Sequence, residues 1–180
     1  MKKSQIRKII LKKRNNLNFK NKKFNFGNLL KLLNYKNKNK KIGLYYPIGS
    51  EVSTIELIKY LRKKNYIISL PVLEKNFVMS FYEWNNKSPL KINNYGIPEP
   101  VKLKKIIPSI LIIPILAFDA KLNRLGYGGG FYDRFINKTE KSKKILKIGL
   151  ALSCQKINKV PINKYDKKMN YIFTEMKVYK

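Results

Sequence analysis

The chain has 180 residues, enough for one domain with a core of useful size but hardly for two. Lys and Arg number 40 against 10 Asp and Glu, at a formal net charge of +30, while 44% hydrophobic and 12% aromatic content is that of a folded protein. With no His and a single Cys, Cys154, the chain cannot run a Ser-His-Asp triad, a His base, His-bound zinc, an internal disulfide or a thiolate cluster.

In chain order, residues 2–17 read as a helix with Ile6, Ile9, Ile10 and Leu17 on one side. At 100° per residue, Lys3, Arg7 and Arg14 fall within about 40° of one another beside that stripe. Two readings follow: a solvated basic face, or a phosphate clamp placed where the stripe docks. A Lys- and Asn-rich stretch, 34–41, leads into a predicted strand, Ile42–Tyr46, that ends at Pro47. Ser53-Thr54-Ile55-Glu56 has the form of a capping box and opens a helix through about Lys64. Tyr66–Leu70 is an apolar, β-branched run that stops at Pro71, and Phe77–Trp84 is a further predicted strand.

Ile110–Ile113 is an apolar strand between prolines, and Ile145–Leu152 and Tyr171–Thr174 complete the set. Continuous apolar strands alternating with helices predict a single α/β domain, 1–180, with a largely parallel central sheet flanked by helices. The longest apolar stretch, Ile106 to Phe118, has 13 residues with Pro108 and Pro114 inside it, whereas a bilayer needs about 20. The first residues (MKKSQIRKIILKKR) interrupt their apolar positions with cations, so neither an export signal nor a membrane partner is expected. A lone Cys suits a reducing cytoplasm.

Glycine distribution is the most informative feature. Four of nine glycines, Gly126, Gly128, Gly129 and Gly130, fall in the string Arg124-Leu-Gly-Tyr-Gly-Gly-Gly-Phe-Tyr-Asp133-Arg134. The string lies between a buried strand and a helix predicted from Gly130 to about Asn137. A glycine loop in that position lets backbone N–H groups approach phosphate oxygens, with the helix N-terminus adding a favourable dipole. Arg124 and Arg134 could neutralise transferred charge, and Asp133 could hold a metal that bridges phosphates. The plainer reading is a tight turn with structural charges around it. The P-loop pattern fails because no Lys-Ser/Thr follows, and the Rossmann pattern fails at Phe131.

The charge itself argues less than its size suggests. Of the 40 cations, 35 are Lys and only five Arg, beside 20 Asn and 23 Ile, which are the residues of A- and T-rich codons. A nucleic-acid binder would be expected to favour Arg. No specific nucleic-acid partner is therefore expected, although a basic surface still attracts anionic small molecules.

The string RLGYGGGFYDR, preceded by PILAFD, resembles the signature of the 5-formyltetrahydrofolate cyclo-ligase family. KSQIR, YYPIGSEVST, LPVLEKNFVMSFYEW, YGIPEP and KIGLALSCQKINKVPINKYDKKMNYIFTE match in the expected order over nearly the whole chain. The resemblance implies an enzyme that uses MgATP to convert 5-formyltetrahydrofolate into 5,10-methenyltetrahydrofolate, with release of ADP and phosphate. By the same resemblance Lys3 and Arg7 contact ATP phosphates, and Arg124, Leu125, Gly126, Tyr127, Gly128, Gly129, Gly130, Phe131 and Tyr132 wrap ATP. Tyr127 to Phe131 also face the folate, with Glu51 and Tyr46. Arg124 and Tyr132 are the implied catalytic residues, and Asp133 and Asp166 the magnesium ligands. The partners so implied are ATP and a folate, polyglutamylated or not; nothing in the sequence suggests an obligate interface, and a monomer is expected.

Departures and alternatives accompany that reading. Phe131 stands where the family usually has Tyr, and Tyr165 where relatives often have His. Pro98-Glu99-Pro100 matches a family motif without a role for Glu99. The Asn- and Lys-rich stretches near 15–41 and 137–147 read as solvated surface. Tyr82 and Trp84 could stack on a ring or sit in the core. Glu51 could favour a helix dipole, Asp166 could be a turn residue, and Cys154 reads as a small core residue. Two other function classes stay open on the residues alone. One is a basic nucleic-acid-binding protein, marked by salt-sensitive DNA binding without ATP. The other is an ATP-dependent enzyme of similar fold, marked by ATP binding with no response to reduced folates.

Overall fold

The computed structural model describes residues 1–16, 24–36, 40–85 and 87–180. Its helices are α1 (Lys3–Asn16), α2 (Gly27–Lys36), α3 (Ile55–Lys63) and α4 (Phe131–Thr139). The strands from the first half are β1 (Lys41–Gly43), β2 (Ile67–Leu73), β3 (Met79–Glu83), β4 (Leu90–Ile92) and β5 (Pro98–Pro100). Those that follow are β6 (Lys105–Ile106), β7 (Ile110–Pro114), β8 (Ala117–Phe118), β9 (Arg124–Leu125), β10 (Leu146–Leu150), β11 (Tyr171–Phe173) and β12 (Val178–Tyr179).

Among the described residues the main sheet has eight strands in the order β12-β11-β10-β7-β1-β2-β3-β6. Its five central strands, from β11 to β2, run parallel, and β12, β3 and β6 pair antiparallel at the two edges. The α/β class expected from continuous apolar runs is therefore the class observed. Along β7, Ile110 and Ile112 join one core while Leu111 and Ile113 join another, so both faces of the sheet are covered. Leu57, Ile58 and Leu61 of α3, with Leu29 and Leu33 of α2, close the first face, and Ile136 of α4 closes the second. Each such fully buried aliphatic side chain contributes about 1.5–3 kcal/mol.

Several boundaries differ from the sequence reading, each for a physical reason. β2 runs through Pro71 instead of stopping before it. The Trp84 amide donates to the Ile68 carbonyl, so even-numbered residues of β2 turn their hydrogen-bonding groups to β3, while pairing with β1 ends at Ser69. The missing N–H of Pro71 therefore faces a position where no ladder bond is needed. The capping box does not form: the Thr54 hydroxyl donates to the Tyr45 carbonyl at 2.7 Å and ties α3 to the end of β1. In α1, Ile6 and Ile10 are buried with Arg14, whereas Ile9 is 54% exposed, so the inward stripe is narrower and partly cationic. Leu17 lies outside the described residues.

Helix α2 was unexpected. Its Leu29 and Leu33 are fully buried, so part of 15–41 belongs to the core and not to solvated surface. The stretch 137–147 is likewise mixed, with Thr139 and Ile145 buried and Glu140 paired to Lys147 and Lys167. The pairs β4–β5 and β8–β9 form two-stranded sheets of their own. No helix among the described residues is long and apolar enough to cross a membrane.

β1 passes through α3 to β2 on one side, and β7 passes through α4 to β10 on the other. The strand order thus reverses between β1 and β7, and the crevice beyond their carboxyl ends is where an open α/β sheet binds ligands.

Candidate active site

A cavity of about 1020 Å³ opens at that reversal, with Tyr45, Tyr46 and Pro114 from the ends of β1 and β7 in its wall. Lys3, Arg7 and Arg14 of α1 line a second wall, because Ile6 and Ile10 dock α1 onto Leu116, Ala117, Leu125 and Val160 around the β8–β9 hairpin. The glycine loop, 126–130, and the first turn of α4 make a third. The residues that the family resemblance implies for the site all line this one cavity: Lys3, Arg7, Tyr46, Glu51, Arg124 through Asp133, and Asp166.

The glycine loop is shaped by arginines. The Arg7 Nε donates to the Gly126 carbonyl at 2.9 Å, and a Cβ at Gly128, whose φ is 116°, would lie 3.3 Å from the Arg7 guanidinium carbon. Gly130, at φ 65°, caps α4, and a Cβ there would meet Arg134 Nη1 at 2.9 Å. Both positions combine a backbone conformation that favours glycine with a guanidinium close against it, so a side chain there would be strained and the arginine would have to shift. Arg134 donates to the carbonyls of Phe77 and Gly129, so its fork is spent on loop carbonyls. The strand that leads into the loop is the short, buried β9 of a hairpin that stands apart from the main sheet.

Arg124 is held from below. Its side chain is 5% exposed, and Nη2 donates to Asp133 Oδ1 at 2.8 Å. Its Nε is buried without a partner among the described residues. Asp133 Oδ1 also accepts from the Lys167 amide at 3.0 Å. Lys3 Nζ donates to Asp166 Oδ2 at 2.5 Å, and the same oxygen accepts from the Asn163 amide at 2.7 Å. Each aspartate thus bears its hydrogen bonds on one oxygen, inside the same cavity.

Glu51 sits opposite, on the turn before α3. The Ile48 amide donates to its Oε2 at 3.0 Å. Burial pushes its carboxyl above the ordinary carboxylate range, opposed by a hydrogen bond from Tyr127, the Ile48 amide and the charge of Arg14. Burial, with the Glu51 charge next, also raises the hydroxyls of Tyr45, Tyr127 and Tyr132, so all three stay protonated at neutral pH. Phe131 packs at the cavity mouth between Phe77 and Tyr95, with ring centroids 6.0 and 6.1 Å away.

Other candidates lie elsewhere. Trp84 and Tyr82 are absent from the cavity wall; Trp84 packs on the first core with Arg62 over its ring at 4.3 Å. Glu99 takes hydrogen bonds from the Leu73 amide and Asn93 Nδ2, both at 2.6 Å, and so anchors the β4–β5 hairpin to β2. Asp119 of the PILAFD segment is buried at the turn between β8 and β9 and accepts from Asn123, Lys121 and Val160. Cys154 packs partly buried against the first core. Sequence reasoning left out Tyr45, Ser50 and Tyr95, and it placed Arg14 only in the open choice between a basic face and a phosphate clamp, outside the residues that the family resemblance implies. Only Arg14 carried a signal, its helical phase with Lys3 and Arg7.

The family described as 5-formyltetrahydrofolate cyclo-ligase matches residues 1–175. The chain is 38% identical over 135 residues to the 5-formyltetrahydrofolate cyclo-ligase of Haemophilus influenzae, covering 71% of each chain. It is 30% identical over 145 residues to that of Escherichia coli K12, covering 77% of this chain and 79% of the relative. Among solved structures, it resembles the 5,10-methenyltetrahydrofolate synthetase of Aquifex aeolicus at a TM-score of 0.79 and 30% identity, covering 100% of this chain and 93% of the other.

Proposed function

The chain belongs to the 5-formyltetrahydrofolate cyclo-ligase family, and on that premise we propose that it converts 5-formyltetrahydrofolate to 5,10-methenyltetrahydrofolate with MgATP as co-substrate, releasing ADP and phosphate. The observation that carries the reading is one cavity that joins an arginine-shaped glycine loop, two aspartates and a half-buried glutamate. The first two suit a polyphosphate and the third suits the N–H edge of a heterocycle.

The chemistry asks mainly for alignment and charge neutralisation. The formyl oxygen attacks the γ-phosphorus, and the bond to the ADP oxygen breaks with its electron pair leaving on ADP. The second folate nitrogen then attacks the activated carbon, its proton passes to solvent, and the carbon–oxygen bond breaks to release phosphate as the ring closes. No step requires a His base.

In this scheme Lys3 and Arg7 grip ATP phosphates from α1. The amides of Leu125 to Phe131 wrap them, and Arg124 with Tyr132 neutralises the transferred phosphoryl group. Tyr46, Glu51 and the Tyr127–Phe131 stretch face the folate. The donor set fits a magnesium ion: Asp133 and Asp166 supply hard oxygens, too few for a closed site but enough when phosphate oxygens and water complete it. Magnesium supplies charge neutralisation of the phosphates. Both aspartates now pair with cations, Arg124 and Lys3, which would turn to the phosphates in its presence.

We read the basic surface as an attractor for these anionic substrates, the enzyme as a monomer, and its unpaired Cys154 as fitting the cytoplasm. The test is stoichiometry. With both substrates and magnesium, ADP and phosphate should each form one-for-one with folate consumed. Folate conversion without nucleotide turnover would refute the ATP-dependent scheme.

A further inference from the structure

Arg14 is the buried cation that the scheme above leaves unused. It is 3% exposed, yet it makes no ion pair among the described residues. A guanidinium in that position is costly unless its donors are met and a compensating charge lies near. Its donors reach two loops at once. Nε donates to Ser50 Oγ at 2.9 Å, next to Glu51, and Nη1 donates to the Tyr127 hydroxyl at 2.8 Å. Tyr127 and Glu51 line the same cavity, and the Tyr127 hydroxyl, with one proton to give, acts to hold the Glu51 carboxyl down. The direction of the line is thereby determined, since Arg can only donate and an ionised carboxylate can only accept.

We propose that Arg14 is a positioning residue for substrate binding: acting through the Tyr127 hydroxyl, it presents the Glu51 carboxylate to the cavity as an acceptor for the N–H edge of the substrate ring. The proposal rests on the reading of Glu51 as a substrate contact. Besides the Ile48 amide, four side chains face Glu51 electrostatically or by hydrogen bond: Arg14 from α1, Tyr45 after β1, Tyr127 from the glycine loop and Tyr132 from α4. Of these only Arg14 is cationic. Burial raises the Glu51 carboxyl, while Tyr127 and Arg14 hold it down. Removing either raises it further, and binding that needs the carboxylate is then lost at a higher pH as the medium is acidified.

The experiment is calorimetric titration of the full chain with 5-formyltetrahydrofolate, without ATP or magnesium, from about pH 5 to about pH 8, spanning a raised carboxyl. Wild-type affinity should fall on the acid side. Arg14→Gln and Tyr127→Phe should each move that midpoint upward by about one pH unit, or tenfold weaker binding at a given acid pH. Combining them should shift it by less than the sum. Equal weakening at every pH would make Arg14 a packing anchor only and overturn the proposal, as would a fully additive double variant. If Arg14→Gln does not fold, Tyr127→Phe decides by the same midpoint. If Glu51→Gln leaves affinity and its pH dependence untouched, Glu51 is not at the substrate, and the reading beneath the proposal falls with it.

Discussion

At the scale of single residues, the arginines of this chain do the work that its lysines cannot. Arg124 meets Asp133 with one arm while its other terminal nitrogen lies beneath Gly126, where a Cβ would stand 3.1 Å away. A Lys offers no such fork. Replacing Arg124 with Ala removes a charge-assisted contact of about 1.5–3 kcal/mol, so kcat/KM for ATP should drop about 10- to 150-fold in steady-state assays. Unchanged ATP kinetics would reject its role. Asp119 acts on stability instead. Burial raises its carboxyl, but the Asn123 side chain and the amides of Val160, Asn123 and Lys121 outweigh burial, and the net shift is downward. A folded-state value below the unfolded one contributes stability above the unfolded value, roughly pH 4, and loses it as pH falls through the folded value. Asp119→Asn should therefore lower the denaturation midpoint at neutral pH and flatten the acid limb of a stability–pH curve.

At the scale of elements, α1 delivers Lys3, Arg7 and Arg14 to the cavity from a docking face of little more than Ile6 and Ile10. Ile10→Ala should cost about 2–5 kcal/mol in chemical denaturation and also raise KM for ATP, because the cations ride on the same helix. A stability loss with no kinetic change would separate the helix from the site. The helical phase of α1 and the four clustered glycines were legible in sequence, since both are local signals. Helix α2 was not: GNLLKLLNYK sits in Lys- and Asn-rich surroundings, and it is the packing of Leu29 and Leu33 in the first core, with Leu30 and Leu32 against it, that makes it core. The β4–β5 hairpin was hidden for a similar reason. It is held by Glu99 reaching the Leu73 amide 26 residues away, a contact no local pattern announces. The Ser53 capping box misled because Thr54 found a better acceptor in Tyr45.

At the scale of the whole molecule, a +30 charge acts in two opposite senses. Self-repulsion weakens the folded state at low ionic strength, while the same field draws in anionic substrates. Raising salt from low to physiological strength should therefore increase the unfolding temperature and at the same time raise KM for both ATP and the folate. Parallel movement of stability and affinity would show that the charge is inert toward the substrates. The sheet reversal between β1 and β7 places the cavity, and no single motif states that reversal; it follows from strand order.

The central claim is the reaction itself, and near-ultraviolet absorbance tests it most directly, because the methenyl product has a conjugated chromophore that 5-formyltetrahydrofolate lacks. Incubation of the protein with 5-formyltetrahydrofolate, ATP and magnesium should give a rise that disappears when any one of the three is omitted. No rise from folded protein that still binds ATP would contradict the folate assignment and leave only a phosphate site.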